Sequence, residues 1–95
     1  MADEAYGLSL APAARRALTA GPPVGLSLAV VMAVGQFISG VLLEKPHVVG
    51  KPLTNELTGY HSARRGPYRV VYRIDDNARI VHVVRIDHRA DAYHS

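Results

Sequence analysis

Arginine and tyrosine side chains are interleaved through the second half of the chain. The set consists of Arg64, Arg65, Arg69, Arg73, Arg85 and Arg89 together with Tyr60, Tyr68, Tyr72 and Tyr93. Guanidinium groups bind phosphate oxygens through two parallel hydrogen bonds, and aromatic rings stack on nucleic-acid bases. The pattern is typical of an RNA-binding surface. It also fits an ordinary charged sheet face with Tyr68 and Tyr72 in the core.

Three further side chains near the chain end could catalyse a phosphoryl transfer. A histidine such as His88 can move a proton near neutral pH. A tyrosine such as Tyr93 can do so when nearby cations lower its pKa, and Arg89 could stabilise the charge that develops on a phosphate. Together these groups could activate an RNA 2′-hydroxyl against the adjacent phosphate. Spacing alone also allows a solvated chain end with no catalytic role.

Neither a metal nor a cofactor is expected. His82, His88 and His94 recur every six residues, but strand geometry puts His82 and His88 on one side and about 20 Å apart. No helical HExxH, finger, GxGxxG or Walker pattern is present. The chain has no cysteine, which excludes disulfides and thiolate metal sites.

Charge divides the chain into two unequal parts. Residues 1–44 carry two basic and three acidic side chains, whereas residues 45–95 carry nine basic and five acidic ones and all five histidines. A basic end on a small domain favours a polyanion or an acidic protein as partner. A solvated basic surface without a partner would have the same composition.

An uncharged run, 24–43, is long enough to cross a bilayer as a helix, which takes about 20 residues. On a helical wheel, however, the run has a bulky face and a small, mildly polar face. The bulky face comprises Leu26, Val30, Val31, Val34, Phe37, Ile38, Val41 and Leu42. The small face comprises Gly25, Ala29, Met32, Ala33, Gln36, Ser39 and Gly40. This division favours a buried helix in a protein core over a membrane span.

The remaining elements follow from turn residues and alternation. We predict a strand over 5–10, a short helix from Pro12 to Leu18, the long helix, a linker over 47–58, and strands over 59–65, 68–74 and 79–87. Short turns should join the last three strands into an antiparallel meander. In the middle strand, one face is apolar and the other carries Arg69 and Arg73, so the helices should cover the first and leave the second open. The prediction is one α+β domain over 1–95, a helix hairpin on a small antiparallel sheet in the order β-α-α-β-β-β.

Residues 49–93 resemble RelE-type toxins of type II toxin–antitoxin systems. The resemblance is carried by GKPL at 50–53, SARRG at 62–66, YRVVY at 68–72, and DHR at 87–89 followed by Tyr93. It implies the fold derived above and a cytoplasmic toxin that cleaves ribosome-bound mRNA without a metal. It further implies a cognate antitoxin and a higher-order toxin–antitoxin complex as partners.

The resemblance also suggests residue roles. Arg69 would contact the reacting phosphate, with Arg64, Arg89 and Tyr93 assisting, and His88 is our own addition to this catalytic set. RNA contacts would come from the neighbouring basic side chains, namely Lys51, His61, Arg65, Arg73 and Arg85.

RelE toxins carry closely spaced lysines where this chain has residues 60–62. This difference leaves His61 as a substitute proton carrier.

Two other functions remain open at this point. The related ParE toxins share the fold but inhibit DNA gyrase without a nuclease site. A relative of the same fold that only binds a partner is the third class.

Overall fold

The computed structural model describes residues 5–22 and 25–88. Within them the elements are β1 (Gly7–Leu10), α1 (Pro12–Thr19), α2 (Leu28–Ser39), α3 (Val41–Glu44), α4 (Pro46–Val49), β2 (Lys51–Pro52), a 3-10 turn (Asn55–Leu57), β3 (Tyr60–Arg65), β4 (Tyr68–Asp75) and β5 (Ile80–His88). The mixed α+β composition agrees with the prediction.

The strands form one five-stranded sheet in the order β1-β5-β4-β3-β2. β3, β4 and β5 are the predicted antiparallel meander. Two features differ from the prediction: β1 runs parallel to β5, and the short strand β2 extends the sheet beyond β3. No tight turn joins β1 to β5, so the sequence pattern could not fix the direction of that pairing.

The predicted long helix over 24–43 is wrong in its continuity. Ser27 caps α2, since its Oγ accepts a hydrogen bond from the backbone N–H of Val30 at 3.4 Å. The helix ends at Gly40, where φ is −116° and ψ is −106°. The short helices α3 and α4 follow, and the predicted linker over 47–58 contains part of α4, β2 and the 3-10 turn. None of the helices in the described ranges is long and apolar enough to cross a membrane.

The helix face predicted to be bulky does form the core. Val34, Phe37 and Ile38 of α2 and Leu42 of α3 are buried in one cluster with the apolar face of the sheet. The sheet contributes Ala63, Tyr68, Val70, Tyr72, Val81, Val83 and Ile86. The small helix face is exposed at Ala29, Met32, Ala33, Gln36 and Ser39. The helices therefore cover one side of the sheet, as the alternation in the middle strand requires.

Tyr72 links the sheet to the last short helix. Its ring is fully buried, and its hydroxyl donates a hydrogen bond to the Pro46 carbonyl at 2.7 Å. Gly50 lies against the same hydroxyl, so a Cβ there would collide with it and would lie 2.9 Å from the Ser62 carbonyl oxygen. Close approach of the backbone is thus the physical reason for a glycine at the start of the 50–53 motif.

We expect Phe37→Ala to lower the free energy of unfolding by about 3–5 kcal/mol, because it removes a large buried ring and leaves a cavity. Gln36→Ala on the exposed helix face should cost far less. Denaturant unfolding of both variants measures the difference. Comparable losses would mean that the helix is rotated relative to the sheet.

Two glycine substitutions should have opposite effects. Gly50→Ala should destabilise the chain by about 1–3 kcal/mol, because the new methyl group must displace Tyr72 or a strand. Gly35 lies in the interior of α2, and a Cβ there meets nothing within 4 Å. Gly35→Ala should therefore stabilise by about 0.5–1 kcal/mol. Thermal unfolding tests the pair, and a stable Gly50→Ala protein would contradict the packing described here.

Candidate functional site

Among the described residues, no helix lies over one side of the sheet, and we call this side the open face. The strand register assigns to it Lys51 of β2; Tyr60, Ser62 and Arg64 of β3; Arg69, Val71, Arg73 and Asp75 of β4; and Ile80, His82, Arg85 and Asp87 of β5. Each of these side chains is exposed or half-buried. The open face is therefore a largely basic surface that solvent and ligands can reach.

A β-bulge in β5 decides which side chains reach the open face. Val71 of β4 pairs with Arg85, but the next residue, Tyr72, pairs with Val83, so β5 holds one extra residue, Val84. The alternation of β5 reverses at this point. Val83 and Ile86 are consequently both buried although they are three residues apart. Without the bulge, Arg85 and Asp87 would share the covered side with Val83.

The bulge brings a carboxylate into a row of arginines. Across β3, β4 and β5, Arg64 pairs with Arg69 and Arg69 pairs with Asp87. An Nη of Arg69 lies 3.5 Å from one oxygen of Asp87, and the Nε of Arg85 donates to both of its oxygens at 2.9 and 3.0 Å. The hydrogen bond to Asp87 is the main reason why the pKa of Arg85 is raised. The Asp87 side chain thus links two arginines on neighbouring strands.

The guanidinium group of Arg69 has N–H donors that are not used in the contact with Asp87. Its side chain keeps 42% of its surface exposed, yet its Nε is buried and has no hydrogen-bond partner. A desolvated donor without a partner costs free energy. A guanidinium held in this way can offer its remaining N–H groups to an anion such as phosphate.

The structure brings together only part of the set predicted from the sequence. Lys51, Arg64, Arg69, Arg73 and Arg85 share the open face. Three other members, His61, Arg65 and His88, lie on the opposite, helix-covered side by register. Arg89 and Tyr93 lie outside the described residues.

His61 packs at the edge of the hydrophobic core. Its ring stacks on Tyr72 with centroids 5.4 Å apart, and its Nδ1 is buried without a partner. Desolvation lowers the pKa of His61, and the neighbouring charge of His47 lowers it further. Both effects favour the neutral form of the ring. Arg65 also faces the helices, with its guanidinium carbon 4.7 Å from the centre of the Phe37 ring.

The expectation that His82 and His88 face one side is wrong, and the bulge is the reason. His82 pairs with Arg73 on the open face, whereas His88 pairs with Tyr68 on the covered one. Nowhere in residues 5–22 and 25–88 do three or more His, Asp or Glu side chains form a group that could hold a metal ion.

A second polar cluster lies at the other end of β4, beyond the open face. The Tyr6 hydroxyl donates to Asp76, and the Nε2 of His47 lies 2.9 and 3.1 Å from the two Asp76 oxygens. The hydrogen bond from Tyr6 is the main reason why the pKa of Asp76 is lowered. These contacts connect the segment before β1, helix α4 and the β4–β5 turn, which indicates a structural role.

Sequence reasoning missed Asp87 and His82 as members of the open face. If the alternation of Val81 and Val83 continued along β5, Asp87 would lie on the covered side. No local sequence pattern predicts the extra residue, Val84. The only available signal was the buried hydrophobic pair Val83 and Ile86, whose odd spacing does not fit a regular strand.

Comparison with known proteins adds independent information. A family model described as the ParE toxin of the type II toxin–antitoxin system parDE matches residues 39–93. Toxin RelG of Mycobacterium tuberculosis is 47% identical over 88 residues, which span 93% of this chain and 95% of that protein. Toxin RelE of the same organism is 42% identical over 91 residues, spanning 96% and 89% of the two chains.

Solved structures agree with these matches. A chain of the toxin–antitoxin complex RelBE2 from M. tuberculosis superposes with a TM-score of 0.80 at 44% identity, over 90% of this chain and all of that one. A mutant of the Escherichia coli toxin RelE in the free state has the same fold, with a TM-score of 0.70 at 21% identity, over 94% and 87% of the two chains. The sequence matches, extending over nearly the whole chain, and the shared helix-on-sheet architecture establish that this protein belongs to the RelE/ParE superfamily of type II toxin–antitoxin toxins.

Proposed function

We propose that the chain is a metal-independent endoribonuclease that cleaves mRNA on the ribosome and thereby arrests translation. The proposal is carried by the convergence of five basic side chains on the open face, which no helix of residues 5–22 and 25–88 covers: Lys51, Arg64, Arg69, Arg73 and Arg85. Phosphate contacts from such side chains supply most of the affinity for RNA. A basic face that extends over several strands also offers a surface for the backbone of single-stranded RNA.

The chemistry would be an attack of the ribose 2′-oxygen on the adjacent phosphorus. The 2′-hydroxyl loses its proton, and its oxygen forms a bond to phosphorus. The bond between phosphorus and the 5′-oxygen of the next nucleotide breaks, and this leaving oxygen takes up a proton. Negative charge builds up on the non-bridging oxygens during this step. Arg69, with Arg64 beside it on β3, is well suited to stabilise that charge.

Fewer observations support the choice of the groups that transfer protons. Arg89 and Tyr93 keep their predicted roles as charge stabiliser and proton carrier at the chain end. His88 and His61 are weaker candidates because both pair with core tyrosines on the helix-covered side. His82 is the histidine that shares the open face within residues 5–88.

The partner and the location complete the proposal. The solved relatives include toxins in complex with antitoxins, namely the M. tuberculosis RelBE2 complex and an archaeal RelE–RelB complex from Pyrococcus horikoshii. We therefore propose a cognate antitoxin that binds this chain, forms a higher-order complex with it and masks the basic open face in the cytoplasm.

A second candidate function is inhibition of DNA gyrase without RNA cleavage. It is favoured by the family model, whose description names the ParE toxin and which matches residues 39–93. A supercoiling assay with purified gyrase separates this function from the first.

We predict that Arg69→Ala lowers the rate of mRNA cleavage on programmed ribosomes by about 10²–10³-fold, the loss expected when one stabilising contact to a developing oxyanion is removed. Growth arrest on induction should disappear with it. The melting temperature should change little, because Arg69 is half-exposed and lies outside the buried core.

Arg15→Ala is the matched control, since it removes the same charge from an exposed position on α1, on the helix side of the sheet. It should keep wild-type cleavage and growth arrest. The nuclease proposal fails if the wild-type protein arrests growth and inhibits gyrase yet produces no cuts in ribosome-bound mRNA.

A further inference from the structure

Asp87 is an anomaly on a face proposed to bind a polyanion. Its carboxylate lies between Arg69 and Arg85, one-fifth exposed, where it repels an incoming phosphate. A side chain retained only for RNA affinity would carry the opposite charge. The contacts of Asp87 indicate what it does instead.

Without a negative charge, the arginines in the row across the three central strands would repel one another. Arg64 and Arg69 are directly opposite one another on β3 and β4, and Val71, which neighbours Arg69 on the open face, is opposite Arg85. Like charges at paired strand positions repel. Because Asp87 contacts both Arg69 and Arg85, it offsets this repulsion and limits the rotamers that the two long side chains can adopt.

The contact between Asp87 and Arg69 involves only one nitrogen of the guanidinium group. Asp87 lies next to one Nη, at 3.5 Å, while Nε has no partner. The guanidinium is thus held at one edge, and its other N–H groups are left for a second acceptor. Catalytic contacts that are fixed before the substrate arrives lose no free energy to reorganisation during the reaction.

We propose that Asp87 is a positioning residue, which orients Arg69 and Arg85 toward the scissile phosphate at the expense of RNA affinity. This inference rests on the proposed ribonuclease function and deepens it. Asp87 does not touch the RNA in this account and acts only through the two arginines. Removing the charge of Asp87 should therefore strengthen RNA binding and slow RNA cleavage.

Asp87→Asn is the informative substitution because it keeps the shape and removes the charge. The single-turnover cleavage rate at saturating toxin should fall by about 10- to 100-fold, as expected when a catalytic group is misplaced. The dissociation constant for a non-cleavable, 2′-deoxy single-stranded oligonucleotide should fall by about twofold to fivefold, because one repulsive charge is gone. Asp87→Glu, which keeps the charge, should recover part of the cleavage rate.

Glu56→Gln is the matched control for net charge. Glu56 is exposed in the 3-10 turn and does not belong to the open face. The variant should bind and cleave RNA like the wild type, and the melting temperatures of both variants should stay close to it. Asp87→Asn with an unchanged cleavage rate, or with weaker RNA binding and a lower melting temperature, would overturn the proposal.

A second readout does not depend on nuclease activity. In ¹H–¹⁵N spectra, the Nε–Hε signal of Arg85 should be sharp and protected from exchange in the wild type and should broaden in Asp87→Asn, because its acceptor is weakened. An Arg85 signal that is the same in both proteins would contradict the positioning role. If the wild type does not cleave RNA, the ribonuclease proposal fails, and this comparison still tests what Asp87 does.

The pH dependence separates positioning from proton transfer. A positioning residue lowers the rate at every pH, so the pH–rate profile of Asp87→Asn should keep the shape of the wild-type profile. Loss of the acidic limb in Asp87→Asn would make Asp87 the proton acceptor and would overturn the proposal.

Discussion

The extra residue in β5 is the constraint on which the basic face depends. Up to Val83, β5 follows the alternation that buries Val81 and Val83 under the helices. Beyond the bulge, Ile86 is buried instead, so that Arg85 and Asp87 turn toward the open side and meet Arg69. Bulges of this kind commonly redirect side chains near functional sites. One inserted residue thus determines both which β5 side chains are buried in the core and which belong to the candidate site.

The two sides of the sheet have separate tasks. On the covered side, Phe37 and its neighbours bury the tyrosines of β4, and the Tyr72 hydroxyl fixes helix α4 through Pro46. On the open side, arginines supply charge with little cost to stability, because exposed ion pairs contribute little to folding. The proposed role of Asp87 belongs to the open face, since it trades RNA affinity for the orientation of Arg69.

Much of this architecture could be predicted from local sequence patterns. The meander, the buried helix face and the open side of β4 follow from alternation and from the need to cover one apolar face. The parallel pairing of β1, the helix break at Gly40 and the bulge at Val84 could not be predicted, because each depends on tertiary packing. Tertiary packing also decides which of the predicted site residues share one side of the sheet. Alternation was right for Arg69 and Arg73, and it misled for His88, which the bulge puts on the opposite side from His82.

The central claim is that the open face promotes attack by a ribose 2′-hydroxyl, and the chemistry of the product ends tests it most directly. Messenger RNA cut by the purified chain on programmed ribosomes should carry a 2′,3′-cyclic phosphate upstream of the cut and a 5′-hydroxyl downstream of it. These ends are distinguished by whether a kinase can label the 5′ end without prior dephosphorylation, and by mass spectrometry of the upstream fragment. Fragments with a 5′-phosphate and a free 3′-hydroxyl would require water as the nucleophile and would contradict the account.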